Sequence, residues 1–492
     1  MKNIFLFFTA IVVAGTSISQ QKPNIIYIYA DDMGYGELGC YGQHKIKTPN
    51  LDRIAKEGIR FTQHYTGAPV CAPARAMLMT GKHAGHSYIR GNYELGGFED
   101  SKEGGQMPLP EGTFTIGQLM KEAGYSTGMI GKWGLGMNNT TGDPNKQGFD
   151  YFYGYLDQKQ AHNFYPTHLW ENGNWDTLKN RFFYVHNSIP NGSPDSVFEY
   201  YKGKDYSVTK MAEKTLAFIR ENKTNPFFLY LPYTGPHVSL QAPEEAIQDY
   251  IGQFDERPYY GKKGYAPAKY PLSTYAAMIT YMDKQVGRIM ALLKELGLDE
   301  NTIVMFSSDN GATFDVGGVN TAFFNSVAGL RGRKQDLYEG GIRVPFIARW
   351  PGKISAGKVT NHVSAQFDLM ATLSELTGAK AWRNDGTSFL PTLLGKDKLQ
   401  KQHDYLYFEF PEKSGQVAIR IGDWKGVKSN MKKDKNAPWE IYNLNTDEKE
   451  STNVATQYPD LVKQFDAILQ KEHQRSHIRE WEIVDPKFNL KD

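Results

Sequence analysis

Two groups of residues in this chain are spaced to do chemistry on an anion. The first centres on Cys71, in the run Cys71-Ala72-Pro73-Ala74-Arg75-Ala76-Met77-Leu78-Met79-Thr80-Gly81. Pro73, with φ preset and no N–H to lose, marks the first turn of a helix, and Ala-Met-Leu-Met continue it. Cys71 then stands at the positive end of that helix, with Arg75 one turn on and on the same face. Such a place holds an anion. The second group is a set of oxygen donors at strand exits. Asp31-Asp32 directly follow the apolar run 24–30, and Asp309-Asn310 follow the run 301–306 after two serines. Both runs read as strands buried on both faces, and open α/β sheets keep their ligands at such carboxyl ends. Adjacent carboxylates repel unless a cation or donors intervene. Oxygen-only ligands from two strand ends suit a hard divalent ion, Ca²⁺ ahead of Mg²⁺, rather than Zn²⁺. His237 follows a further strand at 226–231, on a Gly235-Pro236 loop. An imidazole there is placed to enter a cleft and to move a proton near neutral pH.

The Cys71 run resembles, position for position, the signature C-x-P-x-R-x-x-L-x-T-G of the sulfatases, a family in which a dedicated enzyme oxidises that cysteine to formylglycine. The stretch 30–36 is similar to the family's opening motif, and Lys334-x-x-x-Tyr338-Glu339-Gly340-Gly341-x-Arg343-x-Pro345 to another of its patterns. The resemblance covers most of the chain. It implies Asp31, Asp32, Asp309 and Asn310 as calcium ligands, with the modified Cys71 also touching the metal. It implies Lys132 as a binder of sulfate and of the formylglycine hydroxyl, and His237 as the group that contacts the ester and protonates the departing oxygen. It implies Lys334 as a further sulfate binder and second acid, and Glu339 with Arg343 as a structural pair. The implied activity is hydrolysis of sulfate esters of carbohydrates, such as ulvan, carrageenan or glycosaminoglycans. It runs through a formylglycine nucleophile and a covalent sulfo-enzyme intermediate. The implied partner is a formylglycine-generating or anaerobic sulfatase-maturating enzyme. One departure stands out, because the family's Gly-Lys-Trp-His has Gly134 in place of the histidine. His162 is the first candidate to replace that imidazole and His83 or His86 the second; a site without one is the remaining outcome. A phosphonate or phosphodiester hydrolase of the same superfamily stays open, and so does a non-catalytic binder of sulfated glycans.

The elements that must position these residues set the expected architecture. A chain of 492 residues has room for one large α/β domain and a smaller one. The expected fold is a large mixed, mostly parallel sheet flanked by helices, alkaline-phosphatase-like by the same resemblance. A small C-terminal antiparallel sheet with one helix completes it, from strands near 405–410, 416–421, 424–427 and 439–443 and a helix over 458–472. Residues 1–19 read as a signal peptide, 20–395 as the catalytic domain and 396–492 as the small domain. Lys2, the apolar run 4–15 and the small residues 17–19 have the order of a secretory leader, too short to span a bilayer. The expectation is an exported protein, periplasmic or secreted, with no stable membrane insertion. A formal charge of +2 creates no field that calls for nucleic acid as a partner. Cys40 and Cys71 are the two cysteines, so a disulfide and a modified Cys71 exclude each other. The motif favours modification, leaving Cys40 a lone thiol. Trp170 and Trp175, expected near the cleft, suit a sulfated polysaccharide.

Overall fold

The computed structural model describes residues 22–485, so the expected leader at 1–19 lies outside the described residues. The strand Asn24–Asp31 is buried at every position. Ile26, Ile28 and Ala30 enter one apolar cluster, while Ile25, Tyr27 and Tyr29 enter another on the opposite face. A strand that buries both faces belongs at the centre of a sheet covered on both sides, and that is its place. It pairs in parallel with Thr302–Ser308 on one side and Phe227–Pro236 on the other. Beyond Phe227–Pro236 come Ser126–Lys132, Tyr151–Tyr155, His168–Glu171 and Asn174–Thr177; beyond Thr302–Ser308 come Arg343–Arg349, Ile59–Tyr65 and Lys358–Thr360, with Ser364–Ala365 also beside Ile59–Tyr65. Helices Pro49–Lys56, Ser207–Glu221 and Pro271–Glu295 cover one face. Helices Cys71–Thr80, Ile116–Glu122 and Asp368–Thr377 cover the other.

Strand direction decides which residues meet. Asn24–Asp31, Thr302–Ser308, Phe227–Pro236 and Ser126–Lys132 run parallel and finish at one edge. Arg343–Arg349 runs against Thr302–Ser308, so the segment leading into it, which carries Lys334, arrives at that same edge. Register sharpens the convergence: Ala30 lies opposite Ser308 and Asp31 opposite Pro236, setting Asp31 beside Asp309 and His237.

A four-stranded antiparallel sheet, Leu406–Phe410, Gln416–Ile421, Trp424–Ser429 and Glu440–Asn443, follows in simple chain order. Phe465 and Leu469 of helix Pro459–Glu472 pack on it beside Trp439. These elements match the expected ones to within two residues at each end. No described helix is long and apolar enough to cross a membrane.

The end of that helix is held by charge. His473 Nδ1 bonds Glu409 Oε1 at 2.7 Å, and its Nε2 lies 3.1 Å from Glu482 Oε1. Burial disfavours the charged imidazole, but the bonds to Glu409 and Glu482 outweigh it and push the pKa up to about 9. A folded-state pKa above the unfolded value means stabilisation that is complete below about pH 6.5 and fades as pH rises through about 9. His473→Gln is expected to lower the melting temperature at pH 6 by a few degrees and to flatten its decline between pH 7 and 9, read by differential scanning calorimetry across pH.

Candidate active site

The Cys71 helix forms as its residue types require. Val70, in extended conformation, precedes it, Cys71 is its first residue, and Gly81 ends it with φ of 65°, a left-handed stop that glycine adopts at no steric cost. All ten helical residues are buried. Arg75 points to the same side as Cys71. Its guanidinium donates through Nη2 to Asp309 Oδ2 at 2.8 Å, passes 3.6 Å from Asp31 Oδ2, and donates through Nη1 to the Lys132 carbonyl at 2.6 Å. Lys132, last residue of its strand, donates to Asp31 Oδ2 at 2.6 Å. Lys334 reaches Asp32 Oδ1 at 2.8 Å and lies 3.6 Å from Cys71 Sγ, which is itself 3.4 Å from Asp31 Oδ1.

Successive strand residues point to opposite faces, yet Asp31 and Asp32 serve one pocket. Asp32 manages this with φ of 64°, and its N–H donates to Asp309 Oδ1 at 3.0 Å. Asn310 Nδ2 donates to Asp32 Oδ1 at 2.8 Å, while Asn310 Oδ1 is buried with no partner. The chain then turns at Gly311, where a Cβ would stand 2.0 Å from the Gly340 carbonyl. Only glycine lets the Asp309-Asn310 exit lie against the 334–341 segment.

His237 donates from Nδ1 to its neighbour's carbonyl, Val238 O, at 2.5 Å, which leaves Nε2 facing Asp32 Oδ2 at 3.6 Å. The ligand atoms of Asp31, Asp32, Cys71 and His237 all lie within 4.8 Å of one another. Electrostatics follow from burial and pairing. Burial alone would raise Asp31, but Lys132, His237 and Arg75 overwhelm it and hold the carboxyl well below its usual range. Asp32 is likewise lowered against its burial, chiefly by Lys334. Asp309 goes the other way: burial, then repulsion from Asp31, push it up to about 7. Burial and Asp31 drive the Cys71 thiol far above its ordinary value, and burial with Lys334 brings His237 down to about 4.

The expected residues Asp31, Asp32, Cys71, Arg75, Lys132, His237, Asp309, Asn310 and Lys334 thus meet in one pocket. His162 stands one layer out, its ring stacked on His237 at 4.9 Å and its Nδ1 3.1 Å from His186 Nε2. His83 and His86 turn elsewhere, to Asp385 and Glu472. Gly134 cannot simply regain a side chain, because its φ is 76° and a Cβ would meet Gln158 Nε2 at 2.7 Å. Glu339 meets Arg343 at 3.7 Å, but its nearer partners are Tyr65 and Lys425, at 2.7 and 2.9 Å. The pair is therefore part of a larger network. Trp170 donates to Glu103, and Trp175 stacks on His168 while half exposed. Cys40 and Cys71 are both free thiols. Asn92, whose Oδ1 accepts from Ala72 N–H at 3.0 Å, and Tyr265, whose ring centroid lies 6.1 Å from that of His237, adjoin these residues without having been expected there. Of these, Asn92 had a sequence signal, an Arg-Gly-Asn turn shortly after the Cys71 helix.

Fold and pocket together define an α/β protein with a buried cluster of acidic and basic side chains at the carboxyl edge of its sheet. The Sulfatase family model matches residues 23–379 and the model "N-sulphoglucosamine sulphohydrolase, C-terminal" residues 333–475. The N-acetylgalactosamine-6-O-sulfatase of Bacteroides thetaiotaomicron is 30% identical, over 92% of this chain and 93% of its own. Human arylsulfatase A is 32% identical over 84% of this chain and 76% of its own. The crystal structure of Ps i-CgsB in complex with k-i-k-neocarrahexaose superposes with a TM-score of 0.74 at 28% identity, covering 92% of this chain and 94% of that one. The chain belongs to the sulfatase family and is a sulfuric ester hydrolase.

Among the described residues, Arg75 alone reaches both Asp309 and Asp31 from the helix side. Arg75→Met is expected to leave the buried Asp309 without its cation, Asp31 keeping Lys132, at a cost of about 3–5 kcal/mol, measured by urea unfolding of the purified variant.

Proposed function

We propose that this chain hydrolyses sulfate esters of carbohydrates, with Cys71 converted to formylglycine as its nucleophile. The observation that carries the reading is the position of Cys71: first in its helix, 3.4 Å from Asp31 and 3.6 Å from Lys334, with Arg75 one turn behind. As a thiol it is a poor nucleophile, since burial keeps it protonated near neutral pH. Oxidised and hydrated, position 71 supplies two hydroxyls on one carbon, one to attack sulfur and one whose collapse releases sulfate.

Asp31, Asp32, Asp309 and Asn310 would hold a hard divalent cation beside residue 71, Ca²⁺ ahead of Mg²⁺. The fit rests on the partnerless, buried Asn310 Oδ1 and on a donor set made of carboxyl and amide oxygens. Charge supports it too. Three carboxyl groups face the three cations Lys132, Lys334 and Arg75, and burial with repulsion from Asp31 still raises Asp309, a penalty that a divalent ion among these oxygens would relieve. A bound divalent ion supplies stabilisation of charge on the sulfate oxygens.

The remaining work falls to side chains. Carboxylate partners hold Lys132 and Lys334 protonated against the pull of burial, so both act as fixed positive charges toward the non-bridging oxygens. Arg75 orients Asp309 and Asp31. The Nδ1–H bond of His237 leaves its Nε2 lone pair free to take a proton and pass it to the leaving oxygen, and Lys334 is the other proton source in reach. His162, stacked on His237, orients that ring.

The carbohydrate substrate is supported by relatives whose names specify N-acetylgalactosamine sulfate and a neocarrahexaose complex. Export through the leader at 1–19, to the periplasm, and maturation by a formylglycine-generating or anaerobic sulfatase-maturating enzyme complete the reading. Residues 20–395 form its catalytic domain and 396–492 the small domain.

Cys71→Ser is expected to attack once and then retain sulfate, because a single hydroxyl cannot collapse to an aldehyde. Intact-protein mass spectrometry after exposure to an aryl sulfate should show the adduct, and turnover at the wild-type rate would refute the mechanism. Chelation is expected to abolish turnover and to lower the melting temperature, both restored by Ca²⁺.

A further inference from the structure

A strap of chain borders the mouth of this pocket. Asn92 ties one end to the Cys71 helix, its Oδ1 accepting from Ala72 N–H at 3.0 Å, one residue from Cys71. The chain continues through Tyr93 into the short strand Glu94–Gly96, paired with Glu103–Gln106. At the far end Phe98 packs on His186 and His162, with ring centroids 4.5 and 6.0 Å away, and His162 is the ring stacked on His237. The strap therefore runs from the nucleophile's neighbour to the neighbour of His237. It is pinned from the His162 side: Lys159 Nζ donates to the carbonyls of Leu95 and Gly96 at 2.9 and 2.7 Å, and Gln160 Nε2 to Phe98 O at 3.1 Å. From the small sheet, Glu412 closes on its root, close enough that a Cβ on Gly91 would meet Oε1 at 2.8 Å.

Three consecutive strap side chains face outward, Tyr93, Glu94 and Leu95. The Glu94 carboxylate is ion-paired at 3.9 Å with Lys159 Nζ, which gives two of its three hydrogens to the strap carbonyls. It lies two residues along the strap from Asn92, whose Oδ1 holds the Ala72 N–H beside Cys71. A carboxylate at the entrance to an anion site opposes capture of the anion, so its placement calls for a compensating role. Acceptor-only oxygens beside a sulfate pocket are suited to the hydroxyl donors of a sugar ring.

We propose that Glu94 is a specificity-determining residue: it accepts hydrogen bonds from hydroxyls of the ring that carries the ester, and it turns away a ring bearing a second anionic group beside that ester. This rests on the carbohydrate sulfatase reading given above. A hydrogen bond to an ionised acceptor and a like-charge contact each shift preference by about tenfold or more.

The test compares kcat/KM for N-acetylgalactosamine 6-sulfate, its 4,6-disulfate and an aryl sulfate, using the matured full chain. Relative to the aryl sulfate, Glu94→Gln should lower the rate on the monosulfated sugar about tenfold, mainly through KM. Glu94→Lys should move the preference toward the disulfated ring by tenfold or more. Ratios unmoved by both variants, with sugar desulfation retained, overturn the role of Glu94 and leave the carbohydrate reading standing. Aryl sulfate hydrolysis by the wild type with no sulfate released from either sugar overturns both.

Discussion

Three carboxylates, Asp31, Asp32 and Asp309, are sealed from water within hydrogen-bonding distance of one another's neighbours. Left alone they would force the edge of the sheet apart or take up protons. Each has a dedicated cation: Lys132 for Asp31, Lys334 for Asp32, Arg75 for Asp309. Those cations come from a strand end, a loop and a helix. The balance of charge therefore exists only once the sheet, the Cys71 helix and the 334–341 segment have come together. The groups that make the buried acids tolerable also surround residue 71.

The sheet's one antiparallel central neighbour has a particular use in this scheme. Were Arg343–Arg349 parallel to Thr302–Ser308, the chain before it would leave from the opposite edge and Lys334 would be lost to the pocket. As built, the segment from Lys334 to Glu339 runs along the site and is held from behind by the small sheet. Lys425 bonds Glu339 and Glu450 at 2.9 and 2.8 Å, fully buried, and the Glu339 N–H donates to Glu450 at 2.7 Å. The small sheet thus supports the loop that delivers Lys334.

The missing family histidine illustrates how local and long-range information divide. That Gly134 replaces an imidazole is plain from the sequence. That Gln158 fills the space beside it is visible only when Tyr151–Tyr155 pairs with Ser126–Lys132. His162 was a reasonable stand-in by composition and loop position, and it does approach the site, but as a ring stacked on His237 rather than as a contact of Cys71. His83 and His86 lie close to Cys71 in sequence, yet a helix of ten residues carries them away to Asp385 and Glu472.

By itself the sequence determined the helix start at Cys71, the buried strands that end in paired acids, the small antiparallel sheet and which side chains would gather in one pocket. These are local signals: periodicity, a proline at a helix start, charged residues directly after apolar runs. Only the tertiary structure decided which acid meets which base, where the strap of Asn92 and Glu94 runs, and that Glu339 leans on Lys425 more than on Arg343. Such pairings join residues up to several hundred positions apart, and strand direction and register choose among them. Neither quantity is written in any one stretch of chain, since each arises only when separate strands compete for the same hydrogen-bonding edges.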